Sequence, residues 1–351
     1  MRTRVLTLSL IVMFVIVPLF GTPNTVLSKE KPIELSYSNF LPAGYGTTKA
    51  LEAWAKEIEK RTDGKVKITF YHGGTLTDAV NCYEGVVKGI SDIGQSCLAY
   101  NKGRFPLMEV VDLPGYSFNA IVPCLVSDEI YRRFMPKELS DTHILYIHTH
   151  FPGVIFTRNK PVRRLEDLKG LRIRSTGLSS KIVEAFGATP VAMPKGDQYD
   201  AMYKGVVDGT TGGVNELKGW RVAEVAKYSI AWPRVGYVTA FFVAMNLGKW
   251  RSLPPDVQKV FTDVSKEWPE YHGKTWNSME VEGYQFGKEK GHQIIYLSPE
   301  EGARWEKAVK PLFDDHVKAM EAKGLPGREA LSYRNQLIEK YSKIYPEIRF
   351  E

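Results

Sequence analysis

The first half of the chain alternates between short strand patterns and helical patterns. Apolar and polar residues alternate over residues 33–38, which predicts a strand. Apolar residues then recur at helical spacing over 47–62, and Asp63-Gly64 ends this predicted helix. Two more strands are predicted at 66–71 and 92–96. This order of strands and helices indicates an α/β fold with helical crossovers.

The same alternation returns after a proline-rich middle segment with Pro106, Pro114, Pro123 and Pro136. Strands are predicted at 143–148, 154–157, 171–174, 189–193 and 241–245. A short helix is predicted over 165–170, and a longer one is capped by Ser175 or Thr176 and ends at Phe186. Amphipathic stretches at 257–268, 274–290 and 299–323 predict long helices in the C-terminal third.

A ten-residue pattern occurs twice, at residues 83–92 and again 116 residues later (199 − 83) at 199–208. Each copy reads Tyr, acid, three residues, Lys-Gly, a β-branched residue, any residue, Asp. Each predicts a helix end, a glycine in the left-handed position and an aspartate that opens the next strand. The spacing suits two domains of similar plan rather than a solenoid. We therefore expect two lobes with a ligand cleft between them, which the chain crosses more than once.

The length and the N-terminus bound the class of protein. A chain of 351 residues favours two domains, and 43% hydrophobic with 25% charged residues is typical of a globular protein. Arg2 and Arg4 precede an apolar run over 10–20, and a small-residue site ends at Ser28. This layout predicts a secretory signal peptide over residues 1–28 and an exported protein, with an uncleaved membrane anchor as the alternative.

Charge and cysteine content exclude several classes. Without residues 1–28 the formal charge is (47 − 2) − 40 = +5, spread along the chain, so we expect no nucleic-acid partner. Three cysteines, Cys82, Cys97 and Cys124, do not form a disulfide scaffold, although one bridge between two of them stays possible. Their spacing resembles no zinc site, and we expect no metal and no cofactor.

The sequence also contains no nucleophile elbow, metalloprotease helix, phosphate-binding loop or dinucleotide fingerprint. His148 and His150 would share one face of a strand, but no third metal ligand accompanies them. Cys97 has no histidine or acid placed beside it by sequence. We therefore expect no catalytic residue and no enzyme activity.

Arg174 is the best functional candidate from the residues alone. It ends a predicted strand just before a predicted helix N-terminus. A guanidinium at that place can hold a carboxylate with two hydrogen bonds, and the helix terminus favours the same anion. The alternative, a surface arginine paired with an acid, stays open on position alone.

An ordered set of segments resembles the solute-binding protein of a TRAP transporter. The segments are Leu165-Glu166-Asp167-Leu168-Lys169-Gly170-Leu171-Arg172-Ile173-Arg174, Pro190-Val191-Ala192-Met193-Pro194, Tyr199-Asp200-Ala201-Met202 and Gly205-Val206-Val207-Asp208-Gly209. Tyr71-His72-Gly73-Gly74-Thr75-Leu76, Val111-Asp112-Leu113-Pro114 and Leu253-Pro254-Pro255 extend the match, which runs from about residue 33 to 264.

The resemblance implies a two-lobed periplasmic-binding-protein fold, class II-like, that closes on a small organic acid. Lobe I would comprise residues 29–152 with roughly 240–285, and lobe II 153–239 with roughly 286–351. The protein would be a periplasmic monomer that delivers its ligand to TRAP membrane permease subunits. An exported α/β enzyme acting on organic acids, or a receptor for a membrane sensor, are the alternatives.

The resemblance also assigns site residues. The family's carboxylate-binding arginine falls on Arg174, and Asn39, followed by Phe40, falls on a ligand-contact position. Other positions depart from members that bind sugar acids, where polar or aromatic residues are common. Those departures are Cys97 at the end of the third strand, Phe151, Lys195 after the Met-Pro pair, and Gly212, with Asn215 as a substitute.

These departures suggest the ligand. They remove polar contacts, and a buried hydroxyl without a partner costs about 1–3 kcal/mol. We therefore expect a monocarboxylate with an apolar or aromatic body. If Lys195 points into the cleft, a second anionic group on the ligand becomes plausible.

Overall fold

The computed structural model describes residues 31–232 and 234–348, so the predicted signal peptide lies outside the described residues. The strands are β1 (Ile33–Asn39), β2 (Val66–Tyr71), β3 (Ile93–Cys97), β4 (Thr142–Thr149), β5 (Val154–Thr157), β6 (Arg172–Ser175), β7 (Thr189–Ala192), β8 (Gly209–Gly212), β9 (Tyr228–Ala231), β10 (Ala240–Asn246) and β11 (Gln293–Tyr296). In the described part of the chain, no helix combines the length and the apolar character needed to cross a membrane.

The helices lie mainly between these strands and after them. They are α1 (Gly46–Arg61), α2 (Cys82–Val87), α3 (Ile121–Phe134), α4 (Leu178–Ala185), α5 (Gln198–Tyr203), α6 (Glu216–Gly219), α7 (Leu247–Ser252), α8 (Pro255–Glu289), α9 (Pro299–Val309), α10 (Pro311–Glu321) and α11 (Gly327–Ile344). Short 3₁₀ turns lie at Leu98–Tyr100, Met108–Asp112, Lys137–Leu139, Leu165–Leu168, Lys195–Asp197 and Val222–Glu224. The predicted α/β class and the long C-terminal helices are confirmed.

The described strands form two mixed sheets. The first has the order β2-β1-β3-β10-β4, with β10 antiparallel to both of its neighbours. The second has the order β11-β9-β5-β8-β6-β7, with β6 parallel to β7 and β8. Because β10 returns to the first sheet after strands β5 to β9 of the second, the chain passes between the sheets more than once.

The first sheet is buried on both faces. Neighbouring residues of β10 show this, because Phe242 and Val243 point to opposite sides of the strand. Phe242 packs in a cluster with residues of α3 and α11. Val243 packs in another cluster with Trp54 of α1 and Phe261 of α8. The near-continuous apolar sequence of β10 is therefore that of a central strand.

Both copies of the repeated pattern adopt the predicted conformation. Gly89 and Gly205 follow α2 and α5 with φ of +71° and +73°. Asp92 accepts a hydrogen bond from the backbone N–H of Ser36 on β1 (2.8 Å). Asp208 accepts the equivalent bond from Arg172 on β6 (2.9 Å). Each copy thus fixes a helix end and ties the next strand, β3 or β8, to its parallel neighbour.

Helix α8 is one continuous helix of 35 residues, whereas the sequence pattern suggested two stretches. Its first part packs on α1, α3 and β4, and Trp268 donates to the carbonyl of Ala50 (2.9 Å). Its last part packs on α6, where a Cβ at Gly283 would lie 2.5 Å from the Cα of Asn215. The helix therefore contacts elements attached to both sheets.

Three further predictions of local structure were wrong or incomplete. Helix α3 was not predicted, since its residues fall in or beside the proline-rich middle segment; Pro123 lies in its first turn, where proline is tolerated. The N-cap of α4 is Gly177, with φ of +53°, rather than Ser175 or Thr176. The stretch 299–323 contains two helices, the second beginning at Pro311.

The boundaries of the two lobes stay a prediction. Strand β10 lies in the first sheet, as that prediction requires of residues 240–285. Helix α11 packs on α3 beside the first sheet, which favours assigning residues 327–344 to lobe I. Helix α9 contacts α4 instead, beside the second sheet.

Candidate functional site

A largely buried cavity lies where strand ends of both sheets come together. Its free volume is about 40 Å³, so a ligand larger than a few water molecules enters only when the two walls move apart. From the first sheet it receives residues at the end of β3, after β4 and before and within β10. From the second it receives the end of β6 and the segments that follow β7 and β8. Helix α8 closes one wall with Trp276.

Arg174 is held in the wall of this cavity by the backbone. It lies on β6 between Val191 and Thr210 of the neighbouring strands, and it is 2% exposed. Its Nε and Nη2 both donate to the carbonyl oxygen of Met193 (3.0 and 2.7 Å). Within the described residues its Nη1 has no hydrogen-bond partner. One edge of the guanidinium is therefore fixed, and the remaining N–H groups are available to an anion.

Lys195 also faces the cavity, but a carboxylate neutralises its charge. Its Nζ lies 2.7 Å from Oε1 of Glu216, and it donates to Gln198 Oε1 (3.1 Å) and the carbonyl of Thr211 (3.2 Å). Burial lowers the pKa of Lys195 to about 8, although the Glu216 carboxylate opposes this shift. Because the ammonium already has its counter-charge, its inward position does not call for a second anionic group on the ligand.

Two glycines make room for buried carboxylates beside the cavity. A Cβ at Gly212 would overlap the carboxylate of Glu216. A Cβ at Gly213 would overlap the carboxylate of Glu280 on α8. The departure from the family pattern at Gly212 is thus explained by packing, since the acid four residues later occupies the space.

Asn215 lines the cavity, but protein groups use its amide. Its Oδ1 accepts from the Tyr45 hydroxyl (2.8 Å), and its Nδ2 donates to the Glu280 carboxyl. Its backbone N–H also donates to Glu280 (3.2 Å). Burial raises the pKa of Glu280 to about 8. Asn215 therefore links Tyr45, which precedes α1, to helix α8.

Aromatic rings form most of the remaining wall. Seven aromatic residues stand among the described lining residues: Phe40, Tyr45, Tyr100, Trp220, Tyr237, Phe241 and Trp276. Phe40 lies parallel to Phe241 with ring centroids 6.3 Å apart, and Phe241 packs on Trp276 at 6.1 Å. Such rings favour a flat apolar body through area burial and stacking.

The histidines and Cys97 lack the features of a metal or nucleophile site. His148 is fully buried and stacks on His272 with centroids 3.9 Å apart, whereas His150 lines the cavity. No group of three or more metal-binding side chains occurs in the described ranges. Burial raises the pKa of the Cys97 thiol to about 12, so it is protonated at neutral pH.

Five of the eight predicted site residues line the cavity together: Phe40, Cys97, Arg174, Lys195 and Asn215. Asn39 lies behind it, where Nδ2 donates to Thr48 (3.1 Å) and Oδ1 accepts from the Leu41 N–H (3.1 Å). Phe151 is fully buried against Phe118, and Gly212 lies beneath Glu216. Their part in ligand binding stays a prediction.

The sequence reasoning missed Glu216, His150 and Trp276. The glycine pair 212–213 was a usable signal for Glu216, because adjacent glycines at a strand end mark close approach of another group. From the sequence, His150 stands out only beside His148 as a metal-ligand candidate. Trp276 carried no local signal, since it lies on a helix far along the chain.

The chain resembles known bacterial solute-binding proteins in sequence and in fold. The model of bacterial extracellular solute-binding protein, family 7 (DctP), matches residues 37–319. A TRAP periplasmic solute-binding protein from Desulfovibrio salexigens is 36% identical, with 92% of this chain and all of that chain covered and a TM-score of 0.79. In its crystal the C-terminus of a symmetry mate occupies the ligand-binding site.

Two solved relatives contain aromatic acids. A TRAP solute-binding protein from Rhodoferax ferrireducens with copurified benzoate is 25% identical, covering 89% of this chain and 99% of that one, with a TM-score of 0.85. A marine metagenome protein specific for aromatic acid ligands, in complex with metahydroxyphenylacetate, is 27% identical, covering 88% and 99%, with a TM-score of 0.84.

Proposed function

The chain belongs to family 7 of the bacterial extracellular solute-binding proteins and is a TRAP solute-binding protein, and from this premise we propose that its cargo is an aromatic monocarboxylate. The ligand would bind in the cavity between the strand ends with its carboxylate on Arg174. Closure of the two lobes around it would then present the loaded protein to the membrane subunits of the transporter.

The observation that carries this proposal is the charge balance of the cavity. Arg174 contributes one positive charge whose outer edge has no partner within the described residues. Lys195 contributes a second, which the Glu216 carboxylate balances at 2.7 Å. One net positive charge in a buried site favours a ligand with one negative charge, because a second carboxylate would be buried without a partner.

The aromatic wall supports the rest of the ligand's description. The seven rings offer stacking surfaces, and protein groups already bond the polar atoms of Tyr45, Tyr100 and Trp220, which leaves few partners for the several hydroxyl groups of a sugar acid. The relatives with copurified benzoate and with specificity for aromatic acids are consistent with this body.

We infer further that the protein binds without catalysing a reaction, acts as a monomer and works in the periplasm. The family is extracellular, and the similar solved proteins are transport receptors. The cavity groups are poorly suited to acid–base or nucleophilic work, because burial raises the pKa of Cys97 to about 12 and lowers that of His150 to about 3. Incubation with a bound acid should leave that acid chemically unchanged.

Thermal shift measurements against a library of organic acids test the ligand class. Benzoate-type acids should raise the unfolding temperature, whereas D-glucuronate and succinate should not, because bound ligand stabilises in proportion to RT ln(1 + [L]/Kd). Arg174→Ala should abolish the ligand-dependent shift. Arg172→Ala is the matched control, since Arg172 lies on the same strand but pairs with Asp208 at the surface.

Stabilisation by sugar acids alone would refute the proposed ligand class. A ligand-dependent shift that persists in Arg174→Ala would refute the role of Arg174. A loss of thermal stability without ligand in that variant decides nothing by itself, because Arg174 also binds the Met193 carbonyl; the shift caused by ligand is the relevant quantity.

A further inference from the structure

The cavity wall contains a buried hydrogen-bond donor for which no described protein atom serves as acceptor. Trp276 is 4% exposed, and its Nε1 is buried without a hydrogen-bond partner. An indole N–H can only donate, and leaving it unpaired in an apolar wall costs free energy. The other lining tryptophan differs, because Trp220 donates to the Tyr45 hydroxyl (3.2 Å). An acceptor on a bound ligand would satisfy this N–H.

His150 supplies the complementary group, an acceptor. Its Nδ1 lies 2.6 Å from the carbonyl oxygen of Phe151, which can only accept, so Nδ1 carries the proton. Burial, with Lys195 and Arg174 nearby, lowers the pKa of His150 to about 3, so the ring is neutral at physiological pH. Its Nε2 is therefore an unprotonated acceptor, and no described residue donates to it.

The two groups belong to the same part of the wall. The rings of His150 and Trp276 have centroids 6.3 Å apart and an interplanar angle of 69°. Both pack against Phe241, at 6.3 and 6.1 Å. A single hydroxyl can accept one hydrogen bond and donate another, so a hydroxyl lying between the two rings would serve both residues.

We propose that the ligand carries a hydroxyl group that accepts from Trp276 Nε1 and donates to His150 Nε2, which makes these two residues specificity determinants for hydroxylated aromatic acids. This inference rests on the proposed function, because it assumes that Arg174 holds the carboxylate of an aromatic acid. It adds that the protein distinguishes such an acid from the analogue that lacks the hydroxyl.

Calorimetric titration of the wild-type protein with matched acid pairs tests this inference. The pairs are 3-hydroxybenzoate with benzoate, 3-hydroxyphenylacetate with phenylacetate, and mandelate with phenylacetate. In at least one pair the hydroxylated acid should bind roughly tenfold or more tightly, the worth of one or two buried hydrogen bonds. Because only the ligand changes, this comparison does not depend on any variant folding.

Two variants then assign the preference to the two residues. Trp276→Phe keeps an aromatic ring and removes the donor, and His150→Phe keeps a flat ring and removes the acceptor. Each should reduce the affinity ratio of the pair several-fold toward one, whatever its effect on the affinity for the unhydroxylated acid, because the ratio cancels any change in the shape of the wall that both acids meet. Trp220→Phe is the matched control and should leave the ratio unchanged, since its N–H already has a protein partner.

The outcomes separate the two proposals. If both members of every pair bind equally well to the wild type, the hydroxyl inference is overturned and the aromatic monocarboxylate proposal stands. If no member of any pair binds, the proposed ligand class is wrong and the inference falls with it. If Trp276→Phe and His150→Phe weaken both members of a pair equally, the two residues only shape the cavity and the inference is overturned.

Discussion

The charges of Lys195 and Glu216 should contribute to stability as a pair. Removing them one at a time and together is the most informative test of the protein without ligand. Lys195→Met removes the ammonium and keeps a side chain of similar length. Glu216→Gln removes the negative charge and keeps an amide oxygen that Gln198 can still reach, as it now reaches Glu216 at 3.2 Å. The K195M/E216Q double variant removes both charges together.

The magnitude follows from burial and distance. The side chains are 14% and 7% exposed, and the charged atoms lie 2.7 Å apart. At an effective dielectric constant of about 20 this separation gives a gross attraction of about 6 kcal/mol. Desolvation outweighs it: even with Glu216 in place, the pKa of Lys195 falls from 10.5 to about 8, a net cost of about 3 kcal/mol to the charged form.

Each single variant leaves one buried charge alone, which should lower the free energy of unfolding by about 3–5 kcal/mol. The double variant buries no charge, so we expect it within about 1–2 kcal/mol of the wild type. Urea unfolding followed by circular dichroism at pH 7 measures all four proteins. The exposed pair Lys218–Glu282, at 2.9 Å with side chains 53% and 57% exposed, is the control, and its coupling should stay below about 1 kcal/mol.

Additive effects of the two single changes would refute the reasoning. They would mean that Glu216 does not neutralise Lys195, so the cavity would carry more than one net positive charge. A ligand with two carboxylates would then fit as well as one with a single carboxylate.

Three other substitutions follow from the structure. Burial raises the folded-state pKa of Glu280 to about 8, so the wild type should lose up to about 5 kcal/mol of stability as the pH rises from 4.5 to 8 and this acid ionises. Glu280→Gln should reduce that loss in urea unfolding, and an unchanged pH slope would contradict this. His272→Gln should reduce the loss of stability as pH falls from 6.5 toward 3, since the pKa of His272 is lowered to about 3, and equal acid unfolding midpoints would exclude that role. Gly212→Ala should displace Glu216 and cost about 1–3 kcal/mol, whereas Gly196→Ala, which meets no atom within 4 Å, should be tolerated.

The local pattern of apolar and polar residues was enough to predict most strands of the two sheets and many of the helices beside them. The two Lys-Gly turns were predictable because only glycine adopts a positive φ without strain, and the following aspartates because they bond the neighbouring strand. The cap of α4 could not be predicted from preference alone. Ser175 continues β6, and Gly177 takes the turn with φ of +53°.

The cavity was only partly predictable, because its residues come from distant parts of the chain. Arg174 was identified through strand position and family resemblance together. The inward direction of Lys195 could not be read from its neighbours, since it depends on Glu216, 21 residues later. Trp276 reaches the cavity only because α8 runs unbroken through Pro269 and brings it beside Phe241.

A crystal structure of the protein with benzoate or its 3-hydroxy derivative tests the central claim most directly. We expect one carboxylate oxygen at hydrogen-bond distance, about 3 Å, from Nη1 of Arg174. The ring should lie against Phe241 and Trp276, and the Lys195–Glu216 pair should remain intact. A carboxylate bound by Lys195 instead, or a ligand outside this cavity, would contradict the account.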